Sequence, residues 1–400
     1  MEDMITIEDI TEARERIKSF VHKTPLIYSS SFSRMTGAEV YIKAENLQKT
    51  GSFKVRGAFN KLSRIREGRV IAASMGNHAQ GVAHAAGILG LQAKIVMPVT
   101  APIVKEEATR NYGAEVVLYG ETFSEALEFA LSQRDHVFVH AFDDDEVIAG
   151  QGTIALEIME DIEEIDFVLT PVGGGGLVSG ISTAIKALRP KTKVIGVQTE
   201  AATSAYSSFG EKRVSWKMPQ PTIADGIAVG RVGEKTLEII NRNVDDMVLV
   251  NEDSIAMSIL LFLERKKLVV EGAGVVPLAA LMEDRERFAG RRVVLLVSGG
   301  NIDFTLIDKI IHKGLVSSGR IGVFEVTVDD IPGSLHLLTG VIAAARGNVL
   351  DVVHDRLAGD LPVGKTRVIF TIETRGERHL DGILSQLSVK GFEVRKRMKG

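Results

Sequence analysis

The 400-residue chain contains no cysteine, which excludes disulfide bonds and thiolate metal sites. It also has no uninterrupted apolar run long enough to cross a bilayer. The net charge is only −4 and no basic stripe stands out, which argues against nucleic acid as the main partner. The first residues, 1–4, are acidic rather than basic. We therefore expect no signal peptide and a cytoplasmic location.

Two short segments carry the strongest chemical signal. In residues 50–58, Lys54 follows small, turn-forming residues and precedes a helical pattern, so its amine can be held where it forms a Schiff base. In residues 173–177, four consecutive glycines lie between an apolar strand pattern and a helical pattern, where backbone amides can close around a phosphate. An amine and a phosphate cradle together suggest pyridoxal phosphate. The simpler alternatives are a solvated surface lysine and a tight strand-to-helix turn.

Residues 39–313 alternate short apolar, β-branched runs with helical patterns, which predicts an α/β fold with a largely parallel sheet. Helices are predicted at residues 77–89 and 146–162. The predicted strands include residues 70–74, 93–98, 115–119, 137–140, 167–172, 193–197 and 293–298.

Ligands of such folds bind at the carboxyl ends of the strands, where three predicted loops begin at Ser74, Gly173 and Ser298. The loop at residues 74–81 opens a helix, so its amides and the Asn77 side chain can face an anion such as a substrate carboxylate. A plain helix N-cap by Asn77 explains that segment equally well. For residues 298–301, an ordinary strand-to-helix turn is the simpler interpretation.

The pattern changes after residue 313. Strands at 320–328, 349–356, 366–374 and 392–397 with helices at 334–346 and 379–389 give the order βαββαβ, which predicts a small ferredoxin-like unit. The short, polar, glycine-bounded stretch 314–319 is the predicted linker. A compact unit appended to an α/β body favours a regulatory interpretation.

Further segments complete a recognisable set, namely residues 149–153, 222–227, 271–274 and 298–301. With them, the whole chain resembles threonine dehydratase (threonine ammonia-lyase), a fold-type II pyridoxal phosphate enzyme of the tryptophan synthase β-like family. The resemblance implies a catalytic body at 1–319, with a small subdomain at about 52–148 inserted between 1–51 and 149–319. Residues 320–400 resemble an ACT domain, and residues 330–335 resemble the turn where such domains often bind amino acids.

The resemblance also implies roles for individual residues. Lys54 would bind the cofactor covalently, Phe53 would pack beside its ring, Asn77 would bond its phenolic oxygen and Ser298 would face its pyridine nitrogen. Glu271 is a weaker candidate for electrostatics near the cofactor, with a structural ion pair or a helix-start role as the alternative. The amides that would hold the phosphate belong to Gly173, Gly174, Gly175, Gly176 and Leu177. The substrate would contact Ser74, Gly76, Asn77 and His78.

The implied reaction is α,β-elimination of water from L-threonine, with Lys54 as the base, to give 2-oxobutanoate and ammonia. Related serine racemases carry a second acid/base serine at the position of Met75, which cannot exchange protons. The positions of the carboxylates in the racemase metal site are occupied here by Gln198 and Ser204, which are not carboxylates, so we expect no magnesium site. A site for a monovalent cation bound by carbonyl oxygens is still possible.

Several alternatives remain at this stage. Cysteine and threonine synthases typically have an aspartate directly after the cofactor lysine, where this chain has Val55. L-serine dehydratase, a serine racemase-like enzyme and a catalytically silent amino-acid sensor are the rival functions. The role could be isoleucine biosynthesis, with isoleucine or valine as effector, or threonine catabolism with nucleotide activation. The resemblance further implies a homodimer or homotetramer.

Overall fold

The structure is a computed structural model that describes residues 4–66, 68–356 and 360–397. Its chain divides into two compact units, Met1–Ile302 and Asp303–Gly400. Within the described ranges, no helix combines the length and the apolar character that crossing a bilayer requires.

The first unit contains thirteen α-helices and ten strands among its described residues. The helices are α1 Ile7–Ile17, α2 Ser30–Thr36, α3 Lys54–Leu62, α4 Asn77–Leu89, α5 Ile103–Asn111, α6 Phe123–Ser132, α7 Asp145–Asp161, α8 Gly176–Leu188, α9 Ser204–Glu211, α10 Glu234–Asn243, α11 Glu252–Leu261, α12 Gly272–Glu283 and α13 Arg285–Phe288. The strands are β1 Leu26–Tyr28, β2 Glu39–Ala44, β3 Arg69–Ala73, β4 Gln92–Met97, β5 Glu115–Leu118, β6 Val137–Phe138, β7 Phe167–Pro171, β8 Lys193–Thr199, β9 Asp246–Val250 and β10 Arg292–Val297.

These strands form two sheets. A six-stranded sheet has the order β1-β2-β10-β7-β8-β9 and is parallel except for β1, which pairs antiparallel with β2. A four-stranded parallel sheet of order β5-β4-β3-β6 is inserted between β2 and β7 along the chain. Central strands such as β7 are buried along their whole length, as expected when helices cover both faces of a parallel sheet. The predicted parallel α/β architecture is confirmed.

The three predicted ligand loops each follow a strand. Ser74 comes directly after β3, the glycine loop begins two residues after β7, and Ser298 comes directly after β10. Helix α4 has the predicted bounds, and α7 begins and ends one residue before its prediction. Strand β6 ends at Phe138, two residues earlier than predicted, although the N–H of Val139 still donates to the Ile71 carbonyl of β3 at 2.8 Å.

The second unit contains α14 Phe304–Ser317, β11 Ile321–Asp329, α15 Ser334–Ala344, β12 Asn348–Asp355, β13 Lys365–Glu373, α16 Glu377–Val389 and β14 Glu393–Lys396. Its antiparallel sheet has the order β12-β13-β11-β14. This is the predicted ferredoxin-like βαββαβ arrangement. Alternate side chains of β11 are buried, and Phe324 stacks on its cross-strand partner Phe370 with ring centroids 5.5 Å apart.

The stretch predicted as a linker is mostly helical. Helix α14 continues through Gly314 to Ser317, so only residues 318–320 separate it from β11. The chain reverses at Gly319, whose φ of +66° favours glycine. The linker was predicted because the stretch is polar and bounded by glycines. A helix nevertheless tolerates one internal glycine at a cost of about 1 kcal/mol.

A buried charge cluster fixes α3 in the first unit. The Arg56 guanidinium donates to both carboxylate oxygens of Glu45 at 2.8 Å and to those of Glu157 at 2.6 and 2.9 Å. Lys43 at the end of β2 donates to Glu157 at 2.6 Å. The two positive and two negative side chains are almost fully buried. The cluster therefore joins α3 to β2 and to α7.

Replacing Arg56 with Met should strongly destabilise the protein, because it leaves two buried carboxylates with only Lys43 to compensate them. We expect a loss of about 3–5 kcal/mol in the free energy of unfolding, measured by urea denaturation of the cofactor-free protein. The matched control is Arg69→Met, which removes the exposed pair with Asp135 and should change stability little. Equal, small losses in the two variants would show that the cluster does not stabilise this part of the fold.

Candidate active site

The loop before α3 is bonded to the loop after β10. The backbone N–H of Phe53 donates to the carbonyl of Ser298 at 3.0 Å, and residues 52 and 299 form an isolated β-bridge. Ser298 is buried. These bonds bring three predicted site residues together, since Lys54 is the first residue of α3 and directly follows Phe53.

The Lys54 amine lies in a partly buried position at this junction. Its Nζ donates to the carbonyl of Ala141 at 2.8 Å and lies 5.3 Å from the centroid of the Phe53 ring. Burial lowers the pKa of Lys54 to about 8, and the Glu271 carboxylate opposes this shift. The neutral, nucleophilic form of the amine is therefore accessible at mildly alkaline pH.

The glycine loop turns from β7 into α8 with Gly175 at the N-cap, where φ is +97°. A methyl group on Gly174 would overlap the Phe142 ring, and one on Gly176 would lie 2.8 Å from the Phe142 carbonyl oxygen. Close packing on Phe142, which sequence reasoning missed, thus requires small residues here. The first amides of α8 have no acceptor within the helix, so this loop also suits a phosphate.

Phe142 connects the two halves of the site. It directly follows Ala141, whose carbonyl accepts the Lys54 amine, and it packs against the glycine loop. The lysine amine and the N-terminus of α8 therefore approach the same two-residue segment, 141–142. A lysine of lowered pKa close to a helix N-terminus fits a cofactor that carries both an aldehyde and a phosphate.

Asn77 begins α4 but does not cap it. The N-cap is Gly76, and no side chain bonds the first turn, so the capping alternative for Asn77 is wrong. The Asn77 Nδ2 donates to both carboxylate oxygens of Glu271, at 2.9 and 3.0 Å, and its Oδ1 accepts from Asn301 Nδ2 at 2.8 Å. The amide thus belongs to a polar chain that links three of the recognised segments.

Glu271 is buried and directly contacts the predicted site residue Asn77. It is buried at the N-cap position of α12, but its side chain makes no capping bond and instead accepts from Asn77. Burial raises the pKa of Glu271 to about 7 against the opposing effect of the Asn77 bond, and nearby Asp225 raises it further. Both protonation states of Glu271 are therefore accessible near neutral pH, and its charge raises the pKa of Lys54.

The predicted substrate loop surrounds Asn77. The Ser74 hydroxyl accepts from the N–H of Gly76 at 3.2 Å. His78 is buried, and its Nε2 is 2.9 Å from the carbonyl of Val139, so Nε2 carries the proton that donates. Burial and the Lys54 charge lower the pKa of His78 to about 3. His78 is consequently neutral and offers a substrate no positive charge.

An ion pair links elements of the two sheets near Glu271. Lys105 of α5, which follows β4, donates to the Asp225 carboxylate at 2.7 Å. Asp225 lies in a short 3-10 turn between α9 and α10, and both charges affect the pKa of Glu271. No motif in the sequence indicated this pairing, because its two partners are distant along the chain.

The positions that match a racemase metal site make contacts within the protein. Gln198 is buried, and its Oε1 accepts from the N–H of Tyr206 at 3.0 Å. The Ser204 hydroxyl donates to the carbonyl of Val229 at 2.6 Å.

Comparison with known proteins gives consistent matches. Residues 17–299 match the family described as "Pyridoxal-phosphate dependent enzyme". An L-threonine ammonia-lyase of Thermotoga maritima is 51% identical over 98% of this chain and 99% of its own length, and one of Geobacter sulfurreducens is 46% identical over 96% and 98%. The structure of threonine deaminase isoform 2 from Solanum lycopersicum superposes with a TM-score of 0.73 and 38% identity, covering 76% of this chain and 87% of that one.

Replacing Glu271 with Gln should alter how stability depends on pH. In the cofactor-free protein Glu271 keeps its proton up to about pH 7, against a reference value of 4.5. The associated stabilisation is fully present below pH 4.5 and is lost as the pH rises through 7. Relative to Glu271→Gln, the wild-type free energy of unfolding should therefore fall across this range by up to about 3 kcal/mol, measured by urea titrations. Parallel stability curves would contradict the raised pKa.

Replacing Gly176 with Ala should weaken binding of pyridoxal phosphate. The added methyl group would lie 2.8 Å from the carbonyl oxygen of Phe142, so the start of α8 or the backbone of Phe142 must move. Such overpacking costs about 1–3 kcal/mol, and we expect affinity to fall by about fivefold to a hundredfold in a titration of the cofactor-free protein. The control is Gly210→Ala in α9, where a methyl group meets no atom within 4 Å. If Gly176→Ala bound pyridoxal phosphate with unchanged affinity, the glycine loop would not take part in cofactor binding.

Proposed function

Because the chain belongs to the pyridoxal-phosphate dependent enzyme family, we propose that it converts L-threonine to 2-oxobutanoate and ammonia by α,β-elimination of water. One structural observation carries the proposal. The Lys54 amine, with a pKa of about 8, lies between the Phe53–Ser298 junction and the segment packed on the glycine loop. The names of relatives similar over nearly the whole chain point to threonine as the substrate.

The residues of the site supply complementary contacts for the cofactor. Lys54 provides the covalent attachment, and Phe53 lies beside it for packing on a ring. The amides of residues 173–177 provide the phosphate contact, and Asn77 and Ser298 provide side chains for the phenolic oxygen and the ring nitrogen. When bound, pyridoxal phosphate withdraws electrons from the substrate Cα and makes its proton acidic.

The chain's own groups then perform binding and proton transfer. Lys54 accepts the Cα proton as a general base, which its lowered pKa permits. Amides at the start of α4, beside Ser74 and Gly76, bind the substrate carboxylate. His78 is neutral and has its one N–H donor engaged by the Val139 carbonyl, so it takes part as an acceptor through Nδ1. Met75 has no exchangeable proton, so elimination is favoured over racemisation.

The finer assignments belong to the same proposal. The catalytic body comprises residues 1–319, and residues 320–400 form an ACT-type regulatory domain that binds an amino acid such as isoleucine. The ferredoxin-like fold of the second unit supports this assignment. L-serine is a secondary substrate, since an apolar pocket discriminates one methyl group by only about 1–3 kcal/mol. The protein works as a homodimer or homotetramer in the cytoplasm, a location that its cysteine-free composition suits.

The deciding variant is Lys54→Ala, compared with the exposed neighbour Lys49→Ala. Lys54→Ala should lose the visible absorption of bound cofactor and reduce 2-oxobutanoate formation from L-threonine by at least about a thousandfold, because it lacks both nucleophile and base. Lys49→Ala should behave like the wild type. A parallel assay with isoleucine tests the regulatory assignment.

Three results would contradict the proposal. Near-native turnover by Lys54→Ala would remove the lysine from the reaction. A wild-type protein with visible cofactor absorption that acts only on serine would indicate a serine dehydratase or racemase. A wild-type protein that binds no cofactor would favour an amino-acid sensor.

A further inference from the structure

Asn301 makes bonds that the assigned site roles do not explain. Its Nδ2 donates to the carbonyl of Thr50 and to the Oδ1 of Asn77, both at 2.8 Å, and lies 3.4 Å from the Oε1 of Gln80. Asn301 ends the segment that follows β10, whereas Thr50 precedes α3 and Asn77 begins α4. One side chain in the loop after β10 thus contacts both the segment before α3 and the loop at residues 74–81.

The partners determine the orientation of both amides. A backbone carbonyl only accepts, so the Asn301 atom that faces Thr50 must be the NH₂ group. The other hydrogen of that group points at Asn77, which must therefore present its Oδ1. The Asn77 NH₂ group is then on the opposite side, where the Glu271 carboxylate accepts from it. The groups follow one another as the Thr50 carbonyl, the Asn301 amide, the Asn77 amide and the Glu271 carboxylate. In this order every donor meets an acceptor in only one orientation of the Asn77 amide.

The position of Asn301 is itself sterically defined. Gly51 has a φ of +72°, and a methyl group there would overlap the Asn301 Oδ1. The N–H of Gly300 donates to the Gly51 carbonyl at 2.9 Å, which fixes the backbone next to Asn301. Asn301 is exposed, so its bonds do not hold a hydrophobic core together.

We propose that Asn301 is a positioning residue that fixes the amide of Asn77 with its NH₂ group as a donor to the phenolic oxygen of the cofactor. The inference rests on the proposed function, which places Asn77 at that oxygen. The two oxygens of one carboxylate lie close together, so one shared Asn77 hydrogen accounts for both contacts with Glu271. The second hydrogen is then available to the cofactor. With Asn301 removed, the amide can turn over and present its oxygen to the phenolic oxygen, where two acceptors repel each other.

The loss of this donor has a spectroscopic signature. A hydrogen bond to the anionic phenolic oxygen stabilises it and lowers the pH at which the visible band of the bound cofactor titrates. The charged groups around Asn77, namely Glu271, Lys54, Asp225 and Lys105, stay unchanged when Asn301 is replaced with Ala. A shift of the titration midpoint then reports the amide orientation rather than a new charge.

The test is a pH titration of the visible band in the cofactor-loaded wild type, Asn301→Ala, Asn77→Ala and the double variant. We expect Asn301→Ala and Asn77→Ala to raise the midpoint by about 0.5–1 unit each, and the double variant to match Asn77→Ala alone, because both changes remove one interaction. The matched control is Asn46→Ala, which removes a 3.0 Å side-chain bond to the carbonyl of Val269. The midpoint of this control should equal that of the wild type.

Each other outcome overturns the inference. A wild-type midpoint in Asn301→Ala, or no shift in Asn77→Ala, would show that the amide orientation does not affect the cofactor. Additive shifts in the double variant would show that the two residues act independently. A wild-type protein with no visible band would overturn the proposed function as well. This result is distinguishable from the outcomes above, because those require a visible band in the wild type. Thermal unfolding of each variant without cofactor checks that the fold is intact.

Discussion

The site depends on how α3 is held from two sides. On one side the buried Arg56 cluster joins the helix to the end of β2 and to α7. On the other side, backbone bonds join the residues before the helix to the loop after β10. Lys54 lies between these two attachments, so its backbone position is fixed, and its amine bonds the Ala141 carbonyl. Such buried charges are costly unless every partner is present, and here their bonds span three separate elements.

Burial then determines the chemistry of the two titratable groups nearest the cofactor contacts. It lowers the pKa of Lys54 to about 8 and raises that of Glu271 to about 7, because low polarity disfavours both charged forms. Their mutual attraction opposes both shifts. Near neutral pH both the protonated and the deprotonated form of each group are therefore accessible. Neutral His78 adds no competing charge.

Much of this could be predicted from local sequence. Hydrophobic periodicity indicated the parallel α/β body and the ferredoxin-like unit, and helix α4 has the predicted bounds. The lysine and glycine segments indicated an amine and a phosphate cradle because those functions need particular residues at adjacent positions. The predicted linker at 314–319 was wrong, since composition alone does not show that α14 continues through Gly314. Bonds between distant residues, such as Lys105 with Asp225, have no local signal.

The sequence by itself determined the fold class and the pyridoxal phosphate cofactor, because each depends on short patterns of residue type and spacing, whereas the roles of single site residues stay predictions. Only the tertiary structure decided which of these residues share one environment. It placed Glu271 against Asn77, Phe142 against the glycine loop and Asn301 between two loops. The physical reason is that burial and hydrogen-bond orientation arise from neighbours far apart in the chain, which meet only where parallel strands end together.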